Sequence, residues 1–184
     1  MRVLKHVAAA GLILAPTAAL AQEAAPASET SVFVFNTVLL IFCGMIAMLA
    51  PAGFCLLEAG LARTKNAASA CLKYVAANAI TGIMIWLIGY HLIYGVEPGG
   101  FLGQFMMWAP KDIDPVGNGV ASSAEFFFRL AFAAMAASIV AGALAERVKF
   151  SAFIIFTAIL TGLIYPIAAS WEWGKGYLDA DWKF

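Results

Sequence analysis

Apolar positions fall into four long runs, Val32 to Leu61, Ala67 to Val96, Phe126 to Ala145 and Phe150 to Ser170. Each has the roughly 20 residues that a helix needs to cross the hydrocarbon of a bilayer. None alternates with a period of two, so strands are excluded and an all-α membrane protein with four transmembrane helices is predicted. The stretch VAGALAERVKFSAF, residues 140–153, shows how the runs are divided. A soluble amphipathic helix would spread Glu146, Arg147 and Lys149 along one face. Here they form a narrow collar that is apolar on both sides, which predicts a short hairpin loop between the third and fourth spans. Pro51 predicts a kink in the first run. Asn36 is the one strongly polar residue in that run before Glu58.

Composition agrees. Of the 184 residues 63% are hydrophobic and 12% charged, and mean hydropathy is +0.88. Ordinary globular domains are roughly half apolar and a quarter charged. Net charge is zero, with no basic tract or aromatic-basic interleaving, so nucleic acid is not an expected partner.

At the N-terminus, Arg2 and Lys5 precede the apolar VAAAGLIL, and Ala19-Leu20-Ala21 has the small-x-small form of a cleavage site. Residues 1–21 are expected to be a cleaved signal peptide and residues 22–31 a polar periplasmic lead. Residues 32–184 are expected to form the membrane domain. The first connection, LARTKNAAS, carries Arg63 and Lys65 without an acid, and the third carries Arg147 and Lys149 against Glu146. The second holds Glu97, Asp112 and Asp114 against Lys111 alone. Positive-inside bias therefore puts the first and third loops in the cytoplasm, with the second loop and the segment from Trp171 outside. Export of the N-terminus by a signal peptide predicts the same orientation independently. The expected location is a bacterial inner membrane.

Cys43, Cys55 and Cys71 lie in or beside apolar runs with no metal spacing, and their odd number argues against a disulfide framework. They are expected to act as small buried hydrophobes. Ala133, Ala137 and Ala141 recur every four residues in the third run, the small-xxx-small spacing that lets helices approach closely in lipid. The third span is therefore expected at the centre of a bundle. The sequence offers no nucleophile–base pair, phosphate-cradling loop or metal cluster, so neither an enzyme nor a cofactor is expected.

Three stretches carry a likeness to a known family. GFCLLEAGLARTKNA resembles the end of the first helix and the R-x-K-N loop of the ammonium transporter (Amt/Rh) family. FFFRLAFAAMAASIVAGALAERVKFSAF resembles its third helix and the following hairpin, and YPIAASWEWGKGYL the end of its fourth helix. Order and spacing agree from Val32 to Leu178. The resemblance implies a homotrimer whose subunits each conduct ammonium or ammonia, with a PII-type cytoplasmic regulator as a possible partner. It also implies an outer recruiting tryptophan at Trp173 and a pair of pore-gating phenylalanines at Phe128 and Phe132. Read from the residues alone, Phe128 and Phe132 could equally be packing or lipid-facing side chains, and Trp173 an aromatic-belt anchor.

The family's two pore histidines do not carry over, because His6 lies in the expected signal peptide and His91 near the outer end of the second span. Arg129 stands where the family usually has glutamine, and its charge would repel a cation unless it pairs, with Glu125 one turn away as the nearest acid. The resemblance implies about eleven helices in two inverted halves. A chain reaching DADWKF is therefore expected to be the N-terminal part of such a transporter, inactive alone. Two other classes remain open: an ammonium-sensing membrane module, and a small structural bundle without transport.

Overall fold

The computed structural model describes residues 28–182, so the expected signal peptide and His6 lie outside the described residues. Those residues contain helices and no strand, and four helical segments are long and apolar enough to cross a membrane.

The first span is Glu29–Leu61. It starts three residues before the apolar run because the Ser28 hydroxyl accepts the backbone N–H of Ser31 at 3.2 Å, capping an otherwise open helix end. Glu29, Thr30 and Ser31 are thus helical, although they belong to the segment expected as a polar lead. The helix runs on through Pro51 as one element. Its buried residues, Gly44, Pro51 and Glu58, recur every seven positions and define one inward stripe.

The second span joins a tight turn, Thr64–Asn66, to Ala67–Met84, a π-helical segment Ile85–Gly89 and a last turn Tyr90–Tyr94. The third span, Ser122–Ala143, begins a turn earlier than its apolar run. The fourth joins Phe150–Ile159, a second π-helical segment Leu160–Ile164, and Tyr165–Glu172. A short helix, Tyr177–Trp182, follows. The two π-helical segments meet each other. Gly162 faces Met84 of the second span so closely that a Cβ there would collide with its side chain. Such segments distort the regular ladder locally and recur at functional sites.

As its alanine spacing predicts, the third span is central. Ala133, Ala137 and Ala141 are buried, and the helix packs on the first and second spans and on the second π-helical segment. Ala141 joins Tyr74, Ala77 and Phe153 in one apolar cluster. The first span approaches closely at Gly44, where a Cβ would lie 2.8 Å from Cε1 of Phe127. The three cysteines are free but only half-buried, so the expected burial is corrected, and Cys55 packs against the Tyr74–Phe153 cluster.

Candidate functional site

The first and third loops share one end of the bundle. Glu146 adopts a left-handed backbone conformation, φ 56°, which turns its carboxylate toward the first loop. It accepts the Asn66 side-chain amide at 2.8 Å, the Arg63 backbone N–H at 3.0 Å and Arg63 Nε at 3.3 Å. The Asn66 amide first, then the Arg63 N–H, hold this exposed carboxyl below the usual carboxylate range. A depressed folded-state pKa contributes stability above the unfolded value, about 4.3 for Glu, that is lost as pH falls through the folded value. The clamp is therefore intact at neutral pH and opens on acidification. Glu146→Gln should lower amide protection factors across residues 62–66 at pH 7 and abolish the further loss of protection that the parent shows on acidification below the unfolded value. Unchanged exchange in the variant would show that the loop does not depend on the carboxylate.

At the opposite end, Phe128 and Phe132 lie one turn apart on one face of the third span. Their rings meet edge to face, with centroids 5.0 Å apart and planes at 69°. Phe132 in turn meets the Trp173 indole at 6.2 Å and 86°. The three residues named from sequence thus form one contiguous aromatic chain. Trp173 remains 52% exposed, so an indole face is available to solvent. Its position is set by the Trp-Gly-Lys-Gly turn: Trp173 N donates to the Ala169 carbonyl at 2.9 Å, and Lys175 adopts φ 58°. Gly174 approaches the Ile93 carbonyl so closely that any side chain there would collide.

Arg129 does not stand free beside this chain. It forms an ion pair with Glu125, donates to the Tyr90 hydroxyl at 3.4 Å, and places its guanidinium 3.5 Å from the centroid of the Tyr94 ring. One carboxylate and two aromatic faces therefore compensate its charge. His91 is elsewhere. With Gln104, Lys111 and Ser122 it lines a cavity of about 520 Å³ beneath the second loop, and its Nδ1 is buried without a partner among the described residues. That loop folds back along the second span, with Trp108 N donating to the Trp86 carbonyl at 2.9 Å and Trp108 stacking on Phe126 at 4.1 Å. Asn36, unexplained by the sequence, donates to the Gly119 carbonyl at 3.1 Å and ties the far side of the loop to the first span.

Two loops clamped at one end, an aromatic chain at the other and a small-residue helix between them define a polytopic helical membrane protein whose aromatic chain reaches its surface at Trp173. A family model described as Ammonium Transporter Family matches residues 37–183, and the chain belongs to that family. It is 35% identical over 143 residues to the ammonium transporter Amt2 of Archaeoglobus fulgidus, covering 76% of this chain and 29% of that protein. The ammonium transporter of Bacillus subtilis is 30% identical over 148 residues, covering 78% and 36%. Among solved structures, a sensor Amt protein superposes with a TM-score of 0.70 at 30% identity, over 78% of this chain and 37% of that one. Candida albicans Mep2, as its N240A mutant, shares the fold with a TM-score of 0.68 at 24% identity, over 83% and 34%. The chain spans about a third of the length of the curated relatives it matches.

Proposed function

We propose that this chain forms the N-terminal part of a pore that moves ammonium or ammonia across a bacterial inner membrane. The observation that carries this reading is the contiguous chain Phe128–Phe132–Trp173. An indole face at a mouth replaces part of the hydration shell of a small cation by cation–π attraction. Two aromatic rings one turn apart on the helix face beside it close a narrow path to larger or hydrated solutes. Trp173 is the recruiting residue in this reading, and Phe128 and Phe132 are the gate. The Arg129–Glu125 pair keeps a fixed positive charge from opposing the incoming cation. Family membership supports assembly as a homotrimer, and the clamped inner loops offer a surface for a PII-type regulator.

The reading is tested in the chain joined to its natural continuation, expressed in a strain without ammonium uptake. Saturable uptake of methylammonium that ammonium competes away is expected, and its absence despite normal membrane insertion would end the transport reading. A specific likeness favours a second reading, since the sensor Amt protein is among the similar structures. A cytoplasmic signalling domain beyond residue 184 would select it. A D-F-A-G-x-x-V-H continuation would select the transporter.

Orientation is tested with single cysteines after Cys43, Cys55 and Cys71 are replaced by alanine. A cysteine at Thr64, in the exposed first loop, should react with an impermeant thiol reagent only after the cells are opened. A cysteine at Ile113, 96% exposed in the second loop, should react in intact cells. The reverse pattern would invert the topology.

A further inference from the structure

Phe128, Phe132, Met135, Ile139 and Gly142 recur every three or four residues, so they form one stripe down the third span. At its inner end Ile139 and Gly142 line a cavity of about 590 Å³ between the first and third spans, together with Ser138 and Tyr74. The same cavity is lined by Glu58. This residue occupies the last position of the inward stripe Gly44, Pro51, Glu58, where the helix contact calls for a small or apolar side chain. Only 6% of Glu58 is exposed, and its Oε2 is fully buried without a hydrogen-bond partner among the described residues.

Burying a carboxylate oxygen without a partner is costly, and an ionisable residue within a membrane span is a functional-site candidate by default. The Tyr74 hydroxyl lies beside the Glu58 carboxyl, and Oε2 stays unpartnered. The cations nearby each make a contact of their own, and the Lys73 ammonium keeps two further donors. Arg63 pairs with Glu146, and the exposed Arg147 donates to the Ala143 carbonyl at 3.3 Å. Lys73 donates to the Leu144 carbonyl at 3.3 Å, and lies with Glu58 on a second cavity of about 170 Å³. Ser138 donates its hydroxyl hydrogen to the Ala134 carbonyl at 2.7 Å, which leaves the oxygen free to accept. A carboxylate oxygen with the Ser138 and Tyr74 hydroxyls around a space of this size suits a compact cation that donates hydrogen bonds in several directions.

We infer that Glu58, with Ser138 and Tyr74, forms an inner-side binding site for a small monovalent cation of the ammonium type. The identity of the cation rests on the transport reading, whereas the site does not, because all its residues lie within these 184.

The test is the rate at which dicyclohexylcarbodiimide, an apolar carboxyl reagent, modifies Glu58 in membranes containing the protein, followed by peptide mass. Saturating ammonium chloride is expected to slow the modification several-fold relative to choline chloride at equal ionic strength. In Gly142→Val, whose side chain grows into the cavity beside Tyr74, the difference between the two salts should vanish; a Cβ there lies 3.5 Å from the Tyr74 hydroxyl, an ordinary contact that the fold accommodates. Equal rates in ammonium and choline with the unaltered protein overturn the inference and favour a Glu58–Lys73 pair closed by water. Protection that persists undiminished in Gly142→Val also overturns it, because the bound cation then lies elsewhere. Since uptake is not measured, failure here leaves the transport reading standing, and failure of transport leaves this result intact.

Discussion

A polypeptide ending at Phe184, expressed alone in a strain without ammonium uptake, should restore none, whereas on the proposed transport reading a chain extended to the relatives' full length should restore growth on low ammonium. The expected effect is all or nothing because the chain spans about a third of its relatives' length, and the proposed path draws on more than that share. The stripe of the third span that bears Phe128 and Phe132 descends past Ile139, which is 58% exposed, so it stands open at that point among the described residues. In the inverted-repeat architecture expected for this family, the path lies between two halves. Less than one half offers an ion no continuous polar route, and lipid against its polar positions opposes insertion of the open face. Membrane yield should be measured in parallel, so that loss of transport is not mistaken for loss of protein. Growth equal to that of the extended chain would mean that several copies of this segment build a path together.

Much of the fold was legible because a bilayer imposes a coarse rule. About 20 apolar residues are required per crossing, and charge is confined to the connections. The four runs, the hairpin at Glu146 and the central third span all follow from that rule and from the alanine spacing. The exact helix starts did not, since they depend on local groups that hydropathy ignores, such as the Ser28 hydroxyl at the first span. The two π-helical segments were also invisible. They lie opposite each other in mid-span, where Gly162 and Met84 approach, and no local pattern encodes a contact between residues 78 positions apart.

The site divides in the same way. Pairing of Arg129 with Glu125 could be anticipated from their spacing on a helix, although the stacking of Arg129 on Tyr94 could not. Asn36 and Asn66 each hold a loop more than 70 residues away, so their sequence neighbourhoods carry no sign of the bond. Phe128, Phe132 and Trp173 were named through resemblance, because periodicity offers many other aromatic residues equally well. Glu58 was readable only as a polar interruption near the end of a run. Its significance appears once the heptad stripe shows that it points inward.

Trp173→Leu in the transport-competent protein should raise the ammonium concentration for half-maximal uptake roughly five- to thirtyfold, the equivalent of about 1–2 kcal/mol of cation–π attraction at a partly desolvated site. The geometry supports this size of effect rather than a larger one. Half the indole is open to water, so hydration of the cation is only partly replaced there. Trp173→Phe retains a smaller ring with a weaker quadrupole and should fall between leucine and the parent. The edge-to-face contact with Phe132 adds a second expectation. If recruiting residue and gate work as one aromatic chain, Phe132→Leu should worsen apparent affinity less in a Trp173→Leu background than in the parent, since the two residues share a contact. An aromatic-belt anchor predicts a different pattern, with lower membrane yield or weaker assembly and the same half-saturation in the protein that remains. Uptake measured against ammonium concentration and normalised to folded protein separates the two. An unchanged half-saturation in Trp173→Leu would leave only the anchor.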